Sequence, residues 1–405
     1  MKKLITLLLV LTGMVCTASA SKTISLNPGN WTNDGWCALW VWNSSSEGHW
    51  ENLSDYTATN GVYSISVTDD MTTWFLIRGA GSEPGWTTEW NRSGNLSIEG
   101  DDFLYTFDEI KNDVTIGNGI TKTEIFHFCS ILGDFTGGWD IADAVDMTQS
   151  TEDASVYTLV VEKEVTAGTK YYRLEANHKT GVCSIDTKNY TFNESGKFEL
   201  TFTANVSTRD LTLSAKRILE IGTSKLITFS SADAYNFTGT GATAYVVSSL
   251  SASAATLTVL NDVPKETGVI VSAASAGKYY IPFGGATVLP DGVTNKLHEA
   301  HAGCNVTDSW KCYVLYTDGY FHPANDGAIP AGRAYLLASD VEGAGFNPNA
   351  QGARLSLVFA EDATAVESVK TINKQDNAFY NLAGQRIAQP TKGLYIVNGK
   401  KVIIK

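Results

Sequence analysis

Trp36-Cys-Ala-Leu-Trp-Val-Trp-Asn43 alternates without a break between two kinds of side chain. In an extended strand successive side chains point to opposite faces. Trp36, Ala38, Trp40 and Trp42 therefore share one face, and Cys37, Leu39 and Val41 share the other. The aliphatic face can supply a core contact by itself. The tryptophan face is then left for another purpose.

The same period of two recurs along the chain, in Tyr63-Ser-Ile-Ser-Val67, Tyr157-Thr-Leu-Val-Val161 and Phe198-Glu-Leu-Thr-Phe202. Gly, Asn, Asp and Ser punctuate these stretches at short intervals, and no long amphipathic helix interrupts them. The pattern predicts an all-β fold of tandem β-sandwich, immunoglobulin-like domains. Composition shifts divide the chain into a leader (1–20), a tryptophan-rich sandwich (21–113), a second sandwich (114–216), a β-rich spacer (217–362) and a short β-rich tail (363–405). The first three domains are each long enough to bury a core of their own.

Lys2 and Lys3, the apolar run Leu4 to Val15 and the small residues Ala18-Ser19-Ala20 read as a secretory signal, with cleavage expected before Ser21. Cys16 is the rival, as a lipidated cysteine, although Val15 is larger than the residue such signals place there. The chain carries a net charge of −13, and loss of Lys2 and Lys3 makes it more acidic. Such a chain does not track nucleic-acid phosphates and suits a neutral ligand. Gly 36 and Pro 9 in 405 residues exclude a collagen-like or proline-rich stalk. Export to an oxidising compartment leads us to expect a short-loop disulfide between Cys304 and Cys312, and leaves Cys129–Cys183 open as a second. Cys37 is expected to be a buried small apolar residue.

The tryptophans suggest a chemistry. A pyranose presents flat C–H patches that lie against an indole, and hydroxyls that need planar polar partners. Trp50 follows the strand in a polar loop, and Trp86 and Trp90 sit in a Gly/Pro/Thr loop. Asn43, Asn91, Arg92 and Ser93 are the polar candidates. The alternative is that the indoles are ordinary sandwich core. Asn27-Pro-Gly-Asn-Trp31, the aromatic strand ending Trp40-Val-Trp42, and Trp50 resemble the small starch-binding β-sandwich modules attached to amylases. That resemblance implies a sugar platform of Trp40, Trp42 and Trp50. Trp90-Asn-Arg-Ser-Gly-Asn-Leu96 stands where those modules carry a polar Gln-Thr-x-Asp-Leu-like segment, with Arg92, Ser93 and Asn95 replacing its usual residues.

Ile131-Leu-Gly-Asp-Phe-Thr-Gly-Gly-Trp-Asp140 resembles the G-x-F-N-x-W turn of glycogen-binding modules, with Thr136 in the Asn place and an extra Gly before Trp139. It and Ala167-Gly-Thr-Lys-Tyr-Tyr-Arg173 are also similar to outer-membrane starch-binding lipoproteins of gut Bacteroidetes. The resemblance implies a sugar contact at Trp139, with Tyr172 and Arg173 as lesser candidates. Residues 217–362 resemble a β-rich domain that precedes the C-terminus of secreted Bacteroidetes proteins. Phe379-Tyr-Asn-Leu-Ala-Gly-Gln-Arg-Ile387 and Lys392-Gly-Leu-Tyr-Ile-Val-Asn-Gly-Lys-Lys-Val-Ile-Ile-Lys405 resemble the C-terminal sorting domain of type IX secretion substrates. This implies delivery by that machinery to the outer-membrane surface or the medium.

No catalytic constellation is expected, and neither a cofactor nor a metal. The chain has no G-x-S-x-G elbow and no Walker loop. His298-Glu-Ala-His301 is one residue short of H-E-x-x-H. His127, in Ile125-Phe-His-Phe128, reads as a strand histidine with its hydrogen bonds satisfied. Asp134 and Asp140 could be imagined as paired carboxylates for glycoside hydrolysis, but scattered acids make that a chance pairing. The expectation is a non-catalytic carbohydrate-binding protein, exported, with a starch-like α-glucan as partner. A cell-surface adhesin for host protein or glycan is the first alternative, and an unrecognised glycoside hydrolase the second. Oligomeric state is left open.

Overall fold

β-Branched and aromatic residues at alternate positions make most of this chain strand. A computed structural model describes residues 21–181, 184–307, 311–324 and 327–360, and in the tail 379–380, 386–387, 392–397 and 400–404. The signal segment with Cys16, the Cys183 half of the Cys129–Cys183 pairing, and most of the sorting tail lie outside the described residues. The chain is all-β: among those residues the one α-helix is the short Ala338–Gly343. No helix there is long and apolar enough to cross a membrane.

Two compact units are present. The first comprises residues 1–159, 170–190 and 202–212, and the second 160–169, 191–201 and 213–405. The first opens with β1 (Ser21–Asn27), β2 (Trp36–Asn43), β3 (Gly48–Asn52), β4 (Tyr63–Thr68), β5 (Met71–Gly79), β6 (Glu89–Arg92), β7 (Leu96–Ser97), β8 (Phe103–Phe107), β9 (Thr115–Ile116) and β10 (Gly119–Glu124). They form two sheets, β4-β1-β8-β10-β9 and β3-β2-β5-β6, with β7 added on β5.

One core lies between the two sheets. Ile24, Ile65 and Phe107 come from the first, and Leu39, Val41 and Leu76 from the second. Cys37 joins them, as the alternation of β2 expects. Trp31 and Trp74 are also in this core and wholly buried. A buried indole needs a partner for its N–H. Trp31 Nε1 donates to the Glu109 carbonyl at 2.7 Å, and Trp74 Nε1 to the Ser97 carbonyl at 3.3 Å.

Later in this unit, Cys129 to Gly133 pairs antiparallel with Ala176 to Tyr172. Gly133, at φ 129°, brings its backbone so close to the Tyr171 carbonyl that a Cβ there would stand 2.3 Å from the oxygen. The Gly-Asp-Phe turn therefore requires glycine. Phe135 and Tyr172 pack edge to face in the core of this part.

In the second unit a five-stranded sheet runs from Leu226–Phe229 through Val269–Ala273, Ala242–Leu250 and Ala254–Val259 to Ser356–Phe359. A four-stranded sheet of Leu297–Ala300, Arg333–Leu337, Cys312–Leu315 and Phe321–Pro323 shares a core with it. Cys304 and Cys312 come together in one small cluster, as free thiols. In the tail, Gly393–Val397 and Lys400–Ile404 form the hairpin that the Asn-Gly pair implies. The two turn residues lie outside the described set.

Burial pushes the Cys37 thiol from its ordinary value of 9.0 up to about 12. The folded chain thus holds a proton that the unfolded chain releases. The stabilising contribution is present below pH 9 and is lost as pH climbs toward 12. Cys37 alone should cost on the order of 1 kcal/mol of stability by pH 10. Melting temperatures from pH 8 to 11 should fall less steeply for Cys37→Ala than for the parent chain.

Candidate functional site

The outer face of the β3-β2-β5-β6 sheet is aromatic. In register, Trp40 stands between Trp50 of β3 and Phe75 of β5. Trp36, Ala38, Phe75 and Ile77 form the buried floor, and Trp40, Trp42 and Trp50 pack on it half-exposed. These seven residues come from β2, β3 and β5. The cluster is separate from the core on the other face of the same strands.

Trp50 is a correction to the expected loop: it lies on strand β3, directly across from Trp40. Asn43 makes the hairpin that places it there. Its Oδ1 accepts from the backbone N–H groups of Ser45 and Glu47, each at 3.0 Å. Its Nδ2 donates to Asp70 at 3.2 Å. Asn43 is thus committed to the turn.

Trp86 completes the cluster and was not among the site residues expected from sequence. It sits on a 3-10 turn, Trp86–Thr88, and is 48% exposed. Its ring centroid lies 4.7 Å from that of Trp50, 5.1 Å from Trp40 and 6.2 Å from Phe75. The buried floor holds this turn in place. Trp36 Nε1 donates to Thr88 Oγ1 at 3.1 Å, and Thr88 Oγ1 donates to the Gly85 carbonyl at 3.1 Å.

Two glycines let the indoles lie down on the sheet. A Cβ on Gly48 would stand 2.6 Å from the Val41 carbonyl and 2.8 Å from the Trp40 ring, and one on Gly79 2.2 Å from the Thr88 carbonyl and 2.5 Å from the Trp36 ring. These approaches are closer than real Cβ contacts. Gly48→Ala should therefore lift Trp40 and separate it from Trp50. Near-ultraviolet circular dichroism, which reads coupled indoles, should change while the far-ultraviolet β signal stays.

The rings are tilted against one another. Trp40 and Trp50 meet at 65°, Trp40 and Trp86 at 68°, and Trp50 and Trp86 at 48°. Together they present a curved apolar surface instead of a plane. Polar side chains fringe it. Asn52 is in register with Ala38, Thr73 with Trp42, and Arg92 with Ile77. The Arg92 guanidinium lies 5.6 Å above the Phe75 ring and pairs with Glu89 at 3.5 Å. Beside Trp36 and Asn52 a depression of about 240 Å³ opens, lined also by Ser54 and Ser82.

The other expected polar residues are placed elsewhere. Asn91 is in register with Arg78, one position along from Arg92, and so lies off the aromatic face. Ser93 is buried. Its Oγ accepts from Leu76 N–H at 3.1 Å and donates to the Gly94 carbonyl at 2.9 Å. Trp90 lies 5.0 Å from the Arg78 guanidinium, which also donates to the Asn33 carbonyl at 2.7 Å. Ser93 thus serves the frame of the site, while Trp90 is 42% exposed beside Arg78.

Trp139 is a separate exposed aromatic, 42% accessible, with the Arg173 guanidinium 5.7 Å from its ring. Arg173 is itself held by the buried Glu175 at 2.7 Å. Tyr172 is core. Asp134 accepts from the Tyr171 N–H at 2.8 Å and so ties its turn to the neighbouring strand, while Asp140 accepts from the Ala142 N–H at 3.1 Å and supports its own turn.

His127 is exposed in a bend, not on a strand as expected, and its Nε2 meets the Asp101 carbonyl at 2.8 Å. The carboxylates of Asp101 and Asp102 and the His127 ring come within 4.8 Å of one another. The Lys179 ammonium pairs with both acids, and so supplies a cation there already. His298 stacks on Tyr335 and His301 bonds Glu299 at 2.5 Å. No protein-family model, curated protein or solved structure matches the chain.

Proposed function

We propose that this chain is a non-catalytic carbohydrate-binding protein whose ligand is a starch-like α-glucan. The observation that carries the reading is the face of Trp40, Trp42, Trp50, Phe75 and Trp86, set on a sheet whose opposite face already supplies the core. Indoles on such a face are not needed to bury β2, and part of their surface stays open to solvent. A neutral, hydroxyl-rich ligand suits a site with one ion pair at its fringe and a chain of strongly acidic balance.

The tilts favour a helical glucan over a flat one. A β-1,4 ribbon is flat and calls for rings in one plane. An α-1,4 chain curves, and its apolar face follows a curved surface. The resemblance of residues 27–50 to starch-binding modules points the same way. Trp139 with Arg173 is the second contact we assign to the same polymer. Two weak contacts on one chain raise avidity for a repeating ligand. The leader and the tail support export, and display at the outer-membrane surface or release, as the accompanying address.

Affinity electrophoresis of the full chain tests this reading. Gels would contain amylopectin, xylan, mixed-linkage β-glucan or no polysaccharide. Retardation by amylopectin alone is the expected result. Equal mobility in all gels would overturn it and favour a protein-binding adhesin, and release of reducing sugar would favour a hydrolase.

A further inference from the structure

The second unit contains a cleft of about 560 Å³, within the size range of small-molecule sites. Its walls are largely apolar, with Leu226, Ile227, Val314, Leu315 and Ile329 among the lining residues. One cation, Arg333, lies among them. Its Nη1 donates to the Thr228 carbonyl at 3.4 Å, a long bond, and no carboxylate among the described residues pairs with it. Burial holds its pKa below the ordinary arginine value. The one acid lining the cleft, Glu220, is taken by Lys197 at 2.8 Å.

A part-buried guanidinium that no carboxylate among the described residues meets gains from an anionic partner, and its planar fork matches a carboxylate. We propose that this cleft binds a small amphipathic carboxylate, its apolar body against Leu226, Val314 and Leu315 and its anionic end on Arg333. The site is independent of the aromatic face in the first unit. It also gives residues 217–362 a role beyond the spacer suggested by their sequence.

The test is calorimetric titration of the full chain with octanoate, octanol and octylamine, which share a tail and differ in charge. Octanoate should bind saturably, and the other two at least about tenfold more weakly, the value of a charge-assisted pair. Arg333→Gln should lose a similar factor. Ala328→Trp, at an exposed lining position, should block the cleft and abolish binding. Each variant should keep the parent melting temperature. Octanol binding as tightly as octanoate, Ala328→Trp binding as the parent does, or no saturable octanoate binding would each overturn the proposal.

Discussion

Trp86→Ala should weaken retention by amylopectin at least about tenfold while leaving the fold intact. The indole is about half exposed and makes its ring contacts with Trp40, Trp50 and Phe75. Truncating it removes exposed aromatic surface and little of the core. The stability cost should stay below about 1 kcal/mol, as at other exposed positions. Trp50→Ala should act alike on binding, at a cost of roughly 1–2 kcal/mol, because Trp50 is half-buried against Trp36 and Trp40. Gel retardation and thermal melting of the same preparations check both. Undiminished retention in Trp86→Ala would remove this ring from the site. Outright unfolding of Trp50→Ala would move Trp50 into the core.

Trp31→Ala should do the opposite. Trp31 sits in the starch-module-like Asn27-Pro-Gly-Asn-Trp31 stretch, yet it is wholly buried, meets Phe107 edge to face at 5.6 Å and bonds the Glu109 carbonyl. Its loss leaves a cavity and an unpaired carbonyl. About 3–5 kcal/mol of stability should go, as for other buried aromatics truncated to alanine. Urea unfolding measures it. The fraction that remains folded should still bind amylopectin. A loss under about 1 kcal/mol would contradict the core assignment. The two experiments together separate tryptophans that hold the sandwich from tryptophans that face the ligand.

The strict alternation of Trp36 to Asn43 was enough to sort those side chains onto two faces, because period two is a local property of an extended chain. It was enough to place Leu39 and Val41 in the core and Trp40 and Trp42 outside it. Trp50 escaped because β3 is an edge strand with little to bury. Gly48, His49 and Glu51 around it read as loop. Arg92 was legible as a polar neighbour, whereas Asn91 and Ser93 were not separable from it. What separates them is the pairing register: once Arg92 stands opposite Ile77, Asn91 opposite Arg78 faces the other way, and that register is set by a strand distant in the sequence. Trp86 depends on a hydrogen bond between Trp36 and Thr88, far apart in the chain. A loop tryptophan after Gly85 was the only available signal. The cleft around Arg333 is assembled from separate strands, and nothing in the segments alone foretells it.

The most direct test of the central claim is calorimetric titration of the full chain with maltoheptaose, run beside the double variant Trp50→Ala/Trp86→Ala. A soluble oligosaccharide removes avidity and reads one site at a time. The account predicts saturable, exothermic binding by the parent chain and, from the folded double variant, at most the weak residual heat of the Trp139 contact. No saturable heat from the parent, or the same isotherm from both proteins, would contradict it.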